Sequence, residues 1–294
     1  MDVLRPSSLG EALALKAKRP EAAPIAGGTD LMVEWQAGRP RPPAVLDLSR
    51  LPELKRWGAE DGVYFLGAGV TYASILREPT DRELLAQASR TVGSPQIRVR
   101  GTVGGNLGTA SPAGDVLPVL AACDAEVLLR SESGARSLPW DAFLVGPKRT
   151  AMHPDELIVG VRWPLRRRVG SFSKVGTRNA TVISVASLAM AIDEDAREVR
   201  IALGSVGPTV LRAREAEAFV RSVLDDAGAW DDPAAPVRGG AAAELGALVA
   251  GAARPIDDVR GTAAYRRHAC AVLGERAFGW LLGRRAMPAT VQAA

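Results

Sequence analysis

Cysteine and histidine are scarce in this chain: Cys123, Cys270, His153 and His268 are all there are in 294 residues. A thiolate-bound iron–sulfur cluster takes four cysteines, and a His-rich metal site needs more than two imidazoles, so neither fits. The cysteines lie far apart in apolar stretches, which argues against a disulfide framework. No apolar run approaches the ~20 residues of a membrane span. The opening Met1-Asp2-Val3-Leu4-Arg5-Pro6 lacks a basic segment leading into an apolar one, so no signal peptide is expected and a reduced, cytoplasmic protein is. Also missing are G-x-x-x-x-G-K-[ST], H-E-x-x-H and G-x-S-x-G. Charge of one sign is not concentrated: 37 basic residues against 33 acidic give +4. The densest basic run, Arg166-Arg167-Arg168, has no aromatic interleaving, which speaks against a nucleic-acid surface. Hydrophobic residues at 47% and charged residues at 24% describe an ordinary globular chain, long enough for two or three subdomains.

Local signals then fill in the elements. Ser8-Leu9-Gly10-Glu11 reads as a capping box opening a helix that runs to about Arg19. Strands are expected at Val45–Leu48 and Val63–Leu66, a helix from near Thr71, helical structure at Leu84–Ala88, and a short buried helix at Val116–Ala122. Glu126–Arg130, a turn at Ser133-Gly134 and Ser137-Leu138 predict a hairpin, and Asp155–Val161 another strand. The smooth apolar run Val182–Ile192 is expected to pair antiparallel with Val199–Leu203 across Asp193-Glu194-Asp195. Helices follow near 211–224, 240–250 and 262–282, separated by a loop at Asp231–Gly240. In the last, Tyr265, Ala269, Val272, Leu273, Arg276, Ala277, Trp280 and Leu281 recur at helical spacing. Strands and helices mix without regular βαβ alternation, which predicts an α+β fold.

Two glycine-rich segments carry the chemistry. Paired glycines turn tightly and expose backbone N–H groups with no Cβ in the way, and such groups can nest a phosphate. Ala26-Gly27-Gly28-Thr29-Asp30 is one segment, and taken alone it also fits a plain structural turn. The other, inside a loop-like stretch from Gly93 to Asp115, places Gly101, Gly104, Gly105 and Gly108 among Thr102, Asn106 and Thr109. Two such loops could grip opposite sides of a pyrophosphate outside a Rossmann fold. Gly67-Ala68-Gly69-Val70-Thr71-Tyr72 imitates the Rossmann fingerprint, but Tyr72 stands where the third glycine is needed.

Ile25–Leu31, the run Gly93-Ser94-Pro95-Gln96-Ile97-Arg98-Val99-Arg100-Gly101-Thr102-Val103-Gly104-Gly105-Asn106, and Thr109–Asp115 resemble the FAD-binding medium subunits of molybdenum hydroxylases of the xanthine and carbon monoxide dehydrogenase type. Phe172-Ser173-Lys174 with Arg178, and Asp258 to Arg267, extend the resemblance in order over nearly the whole chain. The short N-terminus and Val92–Arg98 look closest to bacterial xanthine dehydrogenase FAD subunits. The resemblance implies a two-part, non-Rossmann FAD-binding domain over 1–168 (subdomains about 1–52 and 53–168) and a smaller C-terminal domain over 169–294 with an antiparallel sheet and helices. It implies that Ile25, Ala26, Gly27, Gly28, Thr29, Asp30 and Leu31 line the pyrophosphate, with backbone N–H groups as main donors. Gly101, Thr102, Gly104, Gly105, Asn106 and Thr109 would hold the pyrophosphate and ribityl chain. Val92, Gly93 and Ile97 would wall the cofactor, Gly114 and Asp115 would present a carboxylate to it, and Ile158 and Lys174 would stand near the flavin. Asp115 also suits a helix cap and Lys174 a solvated strand position. Arg260 and Tyr265-Arg266-Arg267 suit docking of the last helix, and the two histidines are bystanders. A family variant with an extra iron–sulfur cluster on a cysteine-rich loop does not match, leaving FAD as the one cofactor of this chain.

What the resemblance implies for function is an electron-transfer subunit with no catalytic or metal-binding residue of its own. Electrons would pass from [2Fe–2S] clusters of a small partner subunit through FAD to NAD+ or another acceptor. A large partner subunit with a molybdenum cofactor would hydroxylate xanthine or another purine, with carbon monoxide, aldehydes and N-heterocycles as alternatives. A stand-alone flavin oxidoreductase would need its own substrate base, and a structural subunit that had lost FAD would show damaged loops.

Overall fold

The computed structural model describes residues 1–77 and 83–287. Their contacts divide the chain into two units: 1–77, 92–111 and 124–165 form one, and 83–91, 112–123 and 166–287 form the other.

In the first unit, Ser8 caps the helix Leu9–Lys18, its hydroxyl accepting from the Glu11 N–H at 3.2 Å. Glu11 completes the box from one residue further back than expected, taking the N–H and hydroxyl of Ser7 at 2.7 Å each. This helix covers a small parallel sheet in the order Asp2–Leu4, Ala44–Asp47, Ala23–Ile25. Leu9, Ala12, Leu13, Leu46, Leu51 and Leu54 close the core between them. A five-stranded antiparallel sheet follows, in the order Trp57–Glu60, Val63–Gly67, Leu157–Pro164, Glu126–Ser131, Gly134–Pro139. The hairpin foreseen at Ser133-Gly134 is its outer edge. Arg136 ties that edge down through a two-pronged pair with the buried Glu156, at 2.6 and 2.8 Å.

In the second unit, four antiparallel strands run in the order Arg168–Val175, Ala186–Asp193, Glu198–Gly204, Leu211–Arg212. The apolar run pairs as expected, with Met190 opposite Ile201. All eight residues of Ala186–Asp193 are buried. A strand apolar on both faces needs cover on both. Leu188, Met190 and Ile192 pack with Ile201 and Leu203 against the helices Arg214–Asp226, Ala241–Ala252 and Ala263–Arg285. The helices Glu83–Thr91 and Val116–Ala122 also pack on this sheet. Sequence order puts both of those helices in the first domain, with a boundary at 168/169; the sheet's demand for cover draws them into the second unit. The end of the expected C-terminal domain, 288–294, lies outside the described residues.

Two further details depart from expectation. The stretch from Gly93 to Asp115 is only partly loop, for it contains the helices Pro95–Arg98 and Val103–Thr109. In the last helix Arg276 is exposed, as are Tyr265 and Trp280, and the buried stripe instead includes Arg266 and Arg285. The periodic stripe counted Arg276 and neither of these two, although Arg266 was among the residues expected to dock the helix. Each is buried because it has partners: Arg266 donates to the carbonyls of Val185 and Ser205 at 2.9 and 2.6 Å, and Arg285 grips Glu194 at 2.6 and 2.9 Å.

Candidate functional site

A cavity of about 510 Å³ opens in the first unit, within the size range of small-molecule sites. Both glycine segments line it. The first turns sharply after the strand Ala23–Ile25, with Gly28 at φ 74°. Gly27 approaches the second segment so closely that a Cβ there would lie 2.0 Å from the Arg100 carbonyl oxygen. Only glycine permits that contact. Among the described residues no acceptor receives the backbone N–H of Gly27, Gly28, Thr29 or Asp30. Four donors therefore stand free in one short turn beside the cavity, the arrangement that nests an anion.

The second segment works differently. Thr102 caps the helix Val103–Thr109 by accepting the Gly105 N–H at 3.0 Å. The N–H groups of Val103, Gly104 and Asn106 are spent on Val70, Ala68 and Thr102 carbonyls. Gly104 sits against Ala68, where a Cβ would come within 2.5 Å of the alanine methyl. What this segment offers the cavity is side chains and open wall. Asn106 lines it with a buried carboxamide oxygen that has no partner among the described residues. Thr109 lines it too, its hydroxyl donating to Asp30 Oδ2 at 3.0 Å and so linking the two segments. At Gly105 an added Cβ would meet only Thr102 Oγ1 at 3.1 Å, and at Gly108 only Ile158 Cδ1 at 3.7 Å.

Of the expected residues, Ala26 through Leu31, Val92, Ile97, Gly101, Thr102, Gly104, Gly105, Asn106, Thr109 and Ile158 line this one cavity. Ile25 supports the turn from behind, its Cδ1 lying 3.5 Å from the Cβ position of Gly28. Gly93, at φ 46°, packs against Ile97 instead of facing the cavity. Gly114, Asp115 and Lys174 belong to the second unit. There the Lys174 ammonium is buried against Asp115 Oδ2 at 2.6 Å and donates to the Thr91 and Val182 carbonyls at 2.9 and 3.1 Å. The hydroxyls of Thr91 and Ser184 take the remaining carboxylate positions at 2.9 and 2.6 Å. Asp115 occupies the N-cap of the helix Val116–Ala122 but makes no side-chain cap bond, and Lys174 is not a solvated lysine.

Sequence reasoning missed part of the wall. Ala68, Gly69 and Tyr72, from the segment that mimics a Rossmann fingerprint, line the cavity, and the same segment is the platform for the second glycine helix. Its glycine spacing was the available signal. Glu34, Arg39 and Lys148 also line the cavity. Lys148 holds the Glu34 carboxyl below its usual range through a direct hydrogen bond, so Glu34 stays ionised at neutral pH. Nothing in the sequence marks these three as neighbours.

Residues 1–166 match the family described as the FAD binding domain in molybdopterin dehydrogenase. The chain is similar to the nicotinate dehydrogenase FAD-subunit of Eubacterium barkeri, 36% identical over 200 residues that cover 65% of this chain and 68% of that one. It is also similar to the glyceraldehyde dehydrogenase medium chain of Sulfolobus acidocaldarius, 30% identical over 283 residues, 94% and 96% of the two chains. A chain of the solved carbon monoxide dehydrogenase from Hydrogenophaga pseudoflava superposes with a TM-score of 0.84 at 26% identity, over 98% of both chains.

Proposed function

Since the chain belongs to the family of FAD-binding domains of molybdopterin dehydrogenases, we propose that its cavity holds FAD and that it acts as the flavin-carrying electron-transfer subunit of a molybdenum hydroxylase complex. The observation that carries this reading is the pairing of unspent donors with unfilled wall: four free N–H groups in the first segment and the unpartnered Asn106 oxygen beside the open Gly105 and Gly108 positions. The Gly27–Asp30 turn suits the pyrophosphate, which accepts hydrogen bonds and carries negative charge. The Asn106 carboxamide and the Thr102 hydroxyl suit the hydroxyls of a ribityl chain. Val92, Ile97 and Ile158 supply the apolar wall that excludes water. When bound, FAD supplies a centre that collects electrons singly and releases them in pairs. The chain's own part is to bind, orient and shield.

The electron route extends the proposal to partners. A small [2Fe–2S] subunit delivers electrons and NAD+ is the acceptor, while a molybdopterin-binding large subunit carries the substrate chemistry. The resemblance of Val92–Arg98 to bacterial xanthine dehydrogenases favours a purine substrate; the relatives' names run from nicotinate to glyceraldehyde, and the proposal assigns that choice to the large subunit. No helix among the described residues is long and apolar enough to cross a membrane, which suits a complex working in the cytoplasm.

The test is co-purification of the chain with its large and small partners, followed by flavin, iron and molybdenum analysis and an NAD+-reduction assay. The expected result is about one FAD per copy of this chain and substrate-dependent NADH formation by the complex but not by the chain alone. Purified complex without flavin absorbance would sink the reading. Turnover by the isolated chain would replace it with a stand-alone flavin enzyme.

A further inference from the structure

The only cations among the described residues that line the cavity, Arg39 and Lys148, are both turned to one carboxylate. Lys148 sits in a left-handed conformation, φ 55°, between the paired strands Leu144–Gly146 and Arg149–Thr150. Its backbone N–H donates at 2.9 Å to the carbonyl of Ala110, the C-cap of the helix Val103–Thr109. That bond fixes the base of the lysine at the end of the second glycine segment. Its ammonium pairs with Glu34, which also faces Arg39 Nη1 at 3.8 Å. Glu34 lies on the helix Leu31–Gln36, directly after the first glycine segment. The three charges thus connect the two segments at the cavity wall.

Exposed ion pairs between long side chains are weak and screened by salt. Here the lysine and arginine side chains are 46% and 60% exposed. A diphosphate brings two negative charges, and the free N–H groups of Gly27–Asp30 offer it hydrogen bonds but no full positive charge. Charge-assisted hydrogen bonds from an ammonium and a guanidinium to phosphate oxygens are the stronger alternative.

We propose that Lys148 and Arg39 form a phosphate subsite for a dinucleotide, masked by Glu34 until the diphosphate arrives and takes the carboxylate's place. The inference rests on the FAD reading given above. The diphosphate is that of FAD or that of a nicotinamide dinucleotide, and the two share the chemistry the subsite recognises.

The experiment measures equilibrium binding of FAD and of riboflavin to the flavin-free full chain by fluorescence quenching, and of NADH to the FAD-loaded chain. Lys148→Met, Arg39→Met, Lys148→Arg and Glu34→Gln are compared with wild type at low and moderate salt. Lys148→Met is expected to weaken FAD binding about tenfold, the scale of one charge-assisted hydrogen bond. It should leave riboflavin unchanged and flatten the salt dependence, while Lys148→Arg restores affinity and Glu34→Gln tightens binding by releasing both cations. A loss confined to NADH, with FAD retained, supports the subsite and assigns it to the second dinucleotide. Unchanged FAD and NADH affinities in both methionine variants overturn the inference while leaving the flavin reading intact. A wild-type chain that binds no flavin removes both. Thermal melting of each variant confirms that the fold is kept, as expected for the exposed Arg39 and Lys148 and the half-buried Glu34 at the cavity wall.

Discussion

At Gly27 the whole cavity depends on the absence of one methyl group. Its Cβ position lies 2.0 Å from the Arg100 carbonyl, backbone against backbone, so nothing flexible can give way. Gly27→Ala must therefore separate the two glycine segments. Overpacking of this kind costs about 1–3 kcal/mol, and the expected outcome is a lower urea midpoint together with loss of retained flavin absorbance. A variant that keeps its flavin would show that the segments need not touch for the cavity to work. Glycine's role is why this region was legible: a residue chosen for what it lacks leaves a pattern in the sequence. The charged rim left none. Glu34 and Lys148 are 114 positions apart, and an ion pair across that distance has no local signature. Nor does the sequence separate a spent donor from a free one, although that distinction divides the labour between the segments.

The last helix shows what periodicity can and cannot convey about an element. Its extent was readable, because Thr262 caps it by accepting the Tyr265 N–H and apolar residues recur along it. Its inward face was legible only in part: docking by Arg266 was expected, whereas Arg285 is buried through a contact made far along the chain. The docking expected of the Tyr265-Arg266-Arg267 set falls to Arg266 alone: Tyr265 and Arg267 are exposed. Asp258 completes the dock, holding Arg266 Nη2 at 2.6 Å and Arg260 Nη2 at 2.6 Å. Those two guanidiniums, that of Arg260 foremost, push the Asp258 carboxyl well below the usual carboxylate range. A depressed folded-state pKa gives stability that is present above the unfolded value near 4 and is lost as pH falls towards the folded value. Asp258→Asn should thus lower the melting temperature at pH 7, and the gap to wild type should close as pH drops below about 4. A gap that stays constant from pH 7 to pH 3 would show that the carboxylate's charge does not hold the helix.

On the scale of the whole molecule, the α+β class was legible in the lack of βαβ alternation, and the antiparallel pairing of Ala186–Asp193 with Glu198–Gly204 was legible in two apolar runs across a polar turn. The division of the chain was not. A reader of sequence cuts once, near 168, whereas the chain passes between the two units repeatedly. Val116–Ala122 is apolar at every position, which announces burial without saying against what. Its partner strands, Ala186–Asp193 and Glu198–Gly204, come far downstream.

That interleaving has a consequence for how the protein is made. The helices Glu83–Thr91 and Val116–Ala122 leave the ribosome well before the sheet they cover, so apolar side chains such as Leu84, Leu117 and Leu120 must wait without a partner. Chains that depend on such distant contacts fold slowly and expose sticky surface meanwhile. A fragment ending at residue 166, where the family match ends, would make that wait permanent. It should collect in the insoluble fraction on expression, and co-expression with 167–294 should draw it back into solution. A soluble fragment with a sharp melting transition would mean that the two helices find other cover.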